Sequence, residues 1–229
     1  KGLQEAESAA LINDIKFLPG IELSSSSSAM EVHILGYNIP FKDPAFLQVL
    51  NNIIELRKKR NEEIVRKLRS QGISLKVGDL FESGVKGRQH IATKLLEQGY
   101  VRSRAEAFDK YIGTNKPCFV KSFRIAADSA IKLIKEYEGV PILAHPMRYS
   151  TRTTIAELVN NLADFGLMGL EVFYPNQHRE DDLFLRNLAE RHNLIMTGGS
   201  DFHSISYGAT IGSSNAYLDE NALKILKIV

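Results

Sequence analysis

The sequence AADSAIKLIKEYEGVPILA, residues 126–144, is the clearest indication of the fold class, because an amphipathic helix is followed at once by an apolar strand. We predict the helix over Ala126 to Glu138 and the strand over Pro141 to Ala144. The same order returns twice downstream, with helices predicted over Thr154 to Phe165 and Asp181 to Arg191 and strands over Gly169 to Phe173 and Leu194 to Thr197. Apolar strands that alternate with amphipathic helices indicate an α/β fold, a parallel sheet or barrel covered by helices.

Two further strands precede this region. We predict them over Ile15 to Leu23 and Val32 to Tyr37, and we expect them to be neighbours in the sheet. The serine run Ser24 to Ser28 between them is of low complexity and cannot pack a core, so we predict a surface turn there.

The chain starts with Lys1 rather than methionine, and residues 1–11 have the pattern of the body of a helix whose preceding strand and cap are absent. We therefore expect that the protein continues before Lys1.

A helical block separates the two strand-rich regions. The longest helix is predicted from Pro44 to about Ser70, where apolar residues recur at steps of three and four. Shorter helices are predicted over Gly78 to Glu82, His90 to Gln98 and Ser103 to Tyr111, the last beginning with the capping box of Ser103 and Glu106. We interpret residues 40–119 as an inserted helical subdomain and residues 1–39 with 120–229 as the sheet domain.

The composition excludes several classes of protein. The net charge of +2 over 229 residues is too small to argue for wholesale binding to nucleic acid or membranes, and no apolar run approaches the about 18 residues that span a bilayer. The single cysteine, Cys118, excludes internal disulfides and multi-cysteine zinc motifs, and we predict a buried, inert thiol on a strand. We expect a cytoplasmic protein.

The sequence lacks the nucleophile-elbow, dinucleotide-binding and P-loop motifs. Their absence argues against serine hydrolase, nicotinamide and ATP chemistry.

Polar side chains collect at the predicted strands. Glu22 ends the first of them, His33 lies inside the second and His145 ends the third, and the later members of the set are Glu171, Asp201 and His203. A charged or imidazole side chain is costly to bury there unless it is paired, hydrogen-bonded or bound to a metal. The carboxyl ends of such strands meet at one rim, where chemistry is found in these folds. Imidazole and carboxylate ligands together suit Zn, Mn or Fe, so the pattern predicts a metal cluster.

Two short motifs sharpen this prediction. In TGGSDFHS, residues 197–204, Asp201 and His203 are two positions apart and project to one side, while two glycines permit close backbone approach. In AHPMRY, residues 144–149, the strand stops at Pro146, and Arg148 can direct a guanidinium at an anion near the metals. A surface salt bridge is the alternative role for Arg148.

These motifs together resemble a known family. The sequences GIEL, VHILGY, GRQHIA, AHPMRY, GLEVFYP and TGGSDFHS occur in this order. Their order and spacing resemble those of the PHP family, the polymerase and histidinol phosphatase superfamily of metal-dependent phosphoesterases. The helical insertion is similar to that of the branch with bacterial nucleoside 3',5'-bisphosphate phosphatases and the 5'-to-3' exonuclease that acts on short RNA ends.

The resemblance implies a distorted (β/α)7 barrel whose pocket holds up to three divalent ions, usually Mn, Zn, Fe or Mg. It implies that Glu22 bridges two metals, that His33 and His145 complete one site, and that Asp201 and His203 are ligands of the second and third metals. The 229 residues lack the His-x-His strand and the Asp-His-Asp motif with which this family opens. Only one metal therefore keeps its family ligand set, and we expect the chain as written to bind metal incompletely or not at all.

Three basic side chains match substrate-facing positions of the family. They are Arg88 and His90 in the insertion and Arg148 after the third strand. The resemblance implies that the two arginines hold phosphates and that His90 binds phosphate or helps to protonate the leaving oxygen. Glu171 has no counterpart among the family's metal ligands, so we predict a structural hydrogen-bonding role for it.

The implied function is hydrolysis of a phosphoester in a nucleotide or short oligonucleotide by a metal-bound hydroxide. An alternative is a nucleic-acid-binding or regulatory module with a dead site, suggested by the absent front motifs and by seven basic residues between Arg57 and Arg69. A basic run on an amphipathic helix is more often a solvated face. A third possibility is hydrolysis of amide or other bonds on the same metal barrel.

Overall fold

The computed structural model describes residues 2–28, 30–75, 87–121, 124–202 and 210–228. The chain divides into two compact units, one made of Lys1–Asp43 with Arg124–Val229 and the other of Pro44–Phe123. The predicted subdomain boundaries at residues 40 and 119 stay a prediction. Of the helices described below, none has the length and apolar character needed to cross a bilayer.

The first unit is built on one mixed sheet. Its strands, within the described residues, are β1 (Gly20–Ser27), β2 (Met30–Tyr37), β3 (Ile125–Ala126), β4 (Val140–Leu143), β5 (Gly169–Phe173) and β6 (Ile195–Gly198). They lie in the order β3-β1-β2-β4-β5-β6. The helices of this unit are α1 (Gly2–Ile12), α5 (Ala127–Glu136), α6 (Arg152–Ala163), α7 (Arg179–Arg191) and α8 (Glu220–Ile225).

The parallel half of the sheet confirms the helix and strand pattern of the sequence. Strands β4, β5 and β6 pair in parallel, and α6 and α7 connect them in chain order. Helix α5 buries Ala130, Ile131 and Ile134 on one side, as its amphipathic pattern predicts. The α/β class with a helix-covered sheet is thus confirmed, whereas closure into a (β/α)7 barrel stays a prediction.

The front of the sheet corrects the predicted serine turn. The run Ser24 to Ser27 is the second half of β1, and the antiparallel ladder with β2 continues to the pair Ser27 and Met30. Ser25 is fully buried, and its hydroxyl donates a hydrogen bond to the carbonyl of Leu23. The prediction was wrong because the ladder with β2 satisfies the backbone, and small hydroxyls fit a pleated sheet when each finds a partner. Glu22 is consequently inside β1 and not at its end.

The second unit is helical within its described part. Helix α2 (Pro44–Ser70) is followed by α3 (Arg88–Glu97) and by α4 (Arg104–Ala107), which continues into a π-helical turn over Phe108–Ile112. One face of α2 packs into a core with the later helices, whose members include Ile64, Leu68, Ile91, Leu95, Ile112 and Cys118. This packing accounts for the three- and four-residue spacing of the α2 sequence.

Two details of this unit differ from the sequence prediction. Cys118 is fully buried, but it lies in a turn rather than a strand, because its amide donates to the Tyr111 carbonyl at the end of the preceding helical turn. Ser103 caps α4 by accepting from the Glu106 amide, while the Glu106 carboxylate accepts from Arg102 instead of closing the capping box on Ser103. The helix predicted over Gly78 to Glu82 lies outside the described residues.

The ladder between β2 and β4 ends at the position where the polar side chains begin. Strand β4 stops at Leu143, yet the Ala144 amide still donates to the His33 carbonyl over 3.1 Å. The His33 amide then has no strand residue opposite it. It donates instead to the hydroxyl of Tyr149 over 2.8 Å. Tyr149 therefore continues the ladder by one bond beyond the end of β4.

Glycine at position 169 allows three strands to approach each other closely. A Cβ added to Gly169 would lie 2.5 Å from Ile142 Cδ1 in β4 and 2.7 Å from the Ile195 carbonyl oxygen in β6. We expect Gly169→Ala to lower the free energy of unfolding by about 1–3 kcal/mol, because backbone must move to admit the methyl group. Urea denaturation measures this change. Gly2→Ala is the control, since nothing lies within 4 Å of its added Cβ, and equal stability of the two variants would contradict the expectation.

Tyr149→Phe tests the added rung of the ladder. Loss of the hydroxyl leaves the His33 amide without its partner, so we expect the free energy of unfolding to fall by about 1–3 kcal/mol. Denaturation in the presence of a chelator measures this without a contribution from bound metal. Tyr217→Phe is the matched control, because that ring is 82% exposed and its hydroxyl should contribute little. Equal stability of the two variants would argue against the role of Tyr149.

Candidate metal centre

The ladder between β1 and β2 brings the first two polar side chains together. Ser24 pairs with His33 and Glu22 with Leu35, so Glu22 and His33 are diagonal neighbours on one face of the sheet. The opposite face carries the buried side chains of Leu23, Val32 and Ile34. Glu22 Oε1 is in direct contact with His33 Nδ1. Strand alternation therefore places these two side chains on the same face of the sheet, opposite to Leu23, Val32 and Ile34.

His145 reaches the same point from the end of β4. Its backbone has φ of 26°, in the left-handed region that non-glycine residues rarely adopt. The buried carboxylate of Glu171 on β5 accepts a hydrogen bond of 2.7 Å from the His145 amide and thereby holds this turn. The predicted hydrogen-bonding role of Glu171 is confirmed. The His145 ring is turned so that Nε2 lies 3.4 Å from Glu22 Oε1.

Three of the predicted metal ligands thus converge. Glu22, His33 and His145 each offer one ligand atom, and these atoms lie within 4.8 Å of one another. The His145 side chain is only 7% exposed, and its Nδ1 is buried without a hydrogen-bond partner among the described residues. One carboxylate oxygen and two imidazole nitrogens are ligands that divalent transition metals accept. The residues present therefore fit a divalent cation.

Electrostatics favour the ionised forms of Glu22 and His33 and the neutral form of Glu171. Burial raises the pKa of Glu22, but hydrogen bonds from His145 and His33 outweigh burial and hold the pKa of this carboxyl far below its usual range. Burial lowers the pKa of His33, whereas its bonds to Glu22 and Glu31 raise the pKa to about 9. Burial raises the pKa of Glu171 to about 7, against the opposing effect of the His145 amide. A proton on His33 thus balances the Glu22 charge, and a bound cation would take over that role as the proton leaves.

A second carboxylate lies on the far side of the His33 ring. His33 Nε2 is 3.9 Å from Glu31 Oε1, and the other Glu31 oxygen accepts a hydrogen bond from Arg124. The nearby His33 imidazole and the hydrogen bond from Arg124 lower the pKa of Glu31 to about 2. A carboxylate behind an imidazole orients the ring and raises its basicity in many metal sites. Glu31 and Arg124 were not predicted from the sequence, although Glu31 is two residues from His33 on the same strand face.

Aromatic residues surround His145 and connect it to Asp201. The His145 ring lies edge-on to the rings of Tyr149 and Tyr174, with centroids 5.2 and 5.8 Å away. The Tyr174 hydroxyl accepts from Arg148 Nη1 over 2.6 Å and donates to Asp201 Oδ2 over 3.4 Å. Asp201 has φ of 51°, so two predicted site residues have left-handed backbone, as strained positions at functional sites often do. Tyr174 thus links Asp201 to the His145 side of the cluster.

The tyrosines were overlooked although both belong to motifs quoted above. Tyr149 ends AHPMRY and Tyr174 follows the strand in GLEVFYP. Their positions in the segments that follow two neighbouring strands were the available signal, since the ends of parallel strands share one edge of the sheet.

The remaining predicted site residues are placed as follows. Arg88 lies against the rings of Phe108 and Phe119, at 5.8 and 5.5 Å from their centroids, and donates to the Ile112 carbonyl. His90 is exposed, and its Nδ1 accepts from the Gly87 amide at the start of α3. Both sets of contacts are internal to the second unit, and the substrate-facing roles of these residues stay predictions. His203 lies outside the described residues.

Comparisons with known proteins extend these observations. No family model matches the chain. The chain is 32% identical over 205 residues to a 5'-3' exoribonuclease of Haemophilus influenzae, covering 88% of this chain and 75% of the relative. It is 33% identical over 217 residues to a 3',5'-nucleoside bisphosphate phosphatase of Chromobacterium violaceum, covering 90% and 74%.

A solved structure agrees with the sequence relatives. An amidohydrolase from Chromobacterium violaceum, solved with bound sulfate and no metal, superposes with a TM-score of 0.79 at 29% identity, covering 99% of this chain and 82% of that one. The order of motifs, the helix-covered sheet and the relatives agree. The chain belongs to the PHP family of phosphoesterases, in the branch that contains these exoribonucleases and nucleoside bisphosphate phosphatases.

Proposed function

We propose that the protein hydrolyses phosphate esters of nucleotides or short oligonucleotides at a divalent-metal centre held by Glu22, His33 and His145. The single observation that carries this proposal is the convergence of their three ligand atoms within 4.8 Å. They come from β1, from β2 and from the turn after β4, so the arrangement depends on the pairing of these three strands. The relatives named as an exoribonuclease and a nucleoside bisphosphate phosphatase support the substrate class.

The ligand set is proposed to extend beyond these three residues. Asp201 and His203 are the further protein ligands, for up to three ions in all, of Mn, Zn, Fe or Mg. Such ions activate water for attack and neutralise charge on phosphoryl oxygens. The chain's own residues supply the shape of the centre. Glu171 holds the His145 backbone, and Glu31 with Arg124 lies behind His33, so the imidazoles are oriented before any ligand binds.

Arg148 is the proposed phosphate-binding side chain of this unit. It is exposed, and its guanidinium stacks over the Tyr174 ring at 5.6 Å while Nη1 donates to the Tyr174 hydroxyl. One edge of the guanidinium is thus fixed beside His145. A planar guanidinium held in this way can bind a phosphate through two parallel hydrogen bonds. Arg88 and His90 are proposed to bind substrate phosphates as well, and His90 to help protonate the leaving oxygen.

The alternative of a dead nucleic-acid-binding module has less support. Of the basic residues on α2, Lys58 pairs with Glu55, Arg66 pairs with Glu63, and Lys67 donates to the Phe119 carbonyl. Local pairing of this kind is typical of a solvated helix face.

Two further predictions stay open. Cytoplasmic location stays a prediction from the sequence. Hydrolysis of amides stays open as an alternative reaction, and amide substrates belong in the same assay.

His145→Ala in the full-length protein tests the metal centre. Removing a ligand should cost more than the about 10- to 100-fold in metal affinity or activity that loss of an outer partner costs. We expect bound metal, measured by mass spectrometry, and hydrolysis of a nucleoside 3',5'-bisphosphate to fall together. His178→Ala is the control, because this exposed histidine precedes α7 and its side chain makes no capping hydrogen bond. Unchanged metal content and rate in His145→Ala would defeat the proposal.

Arg148→Lys tests the phosphate contact separately from metal binding. Lysine keeps the charge but loses the planar fork, so we expect kcat/KM for the nucleotide to fall by about tenfold with metal content unchanged. The matched control is Arg152→Lys, whose guanidinium pairs with Asp181 and Glu180 on α7. If the two substitutions change kcat/KM to the same extent, Arg148 has no special part in binding phosphate.

A further inference from the structure

A cavity of about 520 Å³ opens in the first unit. It lies between the residues that follow β5, the outer part of α7 and residues 213–219. Its lining includes Phe173, Tyr174, Asn176, Arg186, Asn215 and Tyr217. The volume is within the range of small-molecule sites, which is about 300–1,000 Å³.

Tyr174 connects this cavity to the proposed phosphate site. The residue lines the cavity, while its ring contacts His145 and its hydroxyl bonds to Arg148 and Asp201. Tyr174 is therefore shared by the cavity lining and by the contacts of Arg148. The lining residues that follow β5 lie at the carboxyl end of a parallel strand, where ligands of such sheets bind.

The charges of the lining argue against a second phosphate site. Arg186 is the one lining cation among the described residues, and its guanidinium lies over the Phe173 ring at 4.6 Å. Asp182 and Asp219 also line the cavity, so acidic groups outnumber it. A site for a polyanion would carry the opposite excess. The cavity is thus suited to an uncharged part of a ligand.

The other lining groups are those that recognise nucleobases. Asn176 and Asn215 carry side-chain amides, and Ser214 adds a hydroxyl donor and acceptor. Tyr217 presents an aromatic ring that is 82% exposed and so has a face available for stacking. Unstacked bases are typically bound by stacking on aromatic side chains and by hydrogen bonds to their edges.

We propose that this cavity receives the nucleoside part of the substrate, with the base against Tyr217 and the phosphate at Arg148. This inference rests on the proposed function, because it assigns a binding place to the base of that substrate. It makes Tyr217 a specificity-determining residue for nucleotides over phosphate esters that carry no base. Tyr217 takes no part in metal binding.

The test compares a nucleotide with an ester that has no base. Stacking contributes about 5- to 150-fold in affinity per base, so Tyr217→Ala should raise KM for a nucleoside 3',5'-bisphosphate about tenfold or more. Hydrolysis of p-nitrophenyl phosphate should stay unchanged. Tyr217→Phe keeps the ring and should behave as wild type. Ile211→Ala is the matched control, because Ile211 is equally exposed in the same segment but does not line the cavity.

The possible outcomes separate the two proposals. No change with the nucleotide, or an equal change with both esters, would overturn the assignment of the cavity. If wild-type protein hydrolyses neither ester, the proposed function fails by itself. Calorimetry with adenosine and uridine then still tests the cavity, since Tyr217→Ala should weaken nucleoside binding about tenfold and leave ribose 5-phosphate binding unchanged. Nucleoside binding that is absent, or equal in wild type and variant, would overturn the inference.

Discussion

The contact of one carboxylate with two imidazoles is the constraint on which the centre depends. Glu22 Oε1 lies against His33 Nδ1 and 3.4 Å from His145 Nε2, in a part of the sheet where an isolated charge would be costly. The two imidazoles hold the pKa of Glu22 far below its usual range despite burial. The same three groups are ready-made ligands for a divalent cation. Pairing that stabilises the folded chain thus also keeps the ligand atoms close together.

Side chains around this contact hydrogen-bond the backbone amides of His33 and His145. Strand β4 ends early, and Tyr149 then takes the amide of His33 while Glu171 takes the amide of His145. The amides of His33 and His145 are therefore hydrogen-bonded by side chains rather than by a neighbouring strand. Tyr174 continues the arrangement outward to Arg148 and Asp201. The strained backbone of His145 is stabilised by this network.

The sequence and the structure agree most closely where local periodicity is strong. Strand β5 has the predicted bounds of Gly169 to Phe173, and α2 has the predicted bounds of Pro44 to Ser70. The serine run was misjudged, because low complexity indicates a turn only when no neighbouring strand pairs with it. Cys118 is buried as predicted, but the predicted strand was wrong. Its burial comes from helix packing and a turn.

The alternation of helices and strands and the polar residues at the predicted strands can be predicted from the amino-acid sequence, because they follow from periodicity and from the cost of burying charge. The folded chain was needed to see that Glu22, His33 and His145 meet, that Tyr174 bonds to Asp201, and that Glu31 with Arg124 lies behind His33. The contact between His145 and Glu22 joins residues that are 123 positions apart in the chain. Strand order, register and twist bring them together, and no local pattern in the sequence encodes those distances.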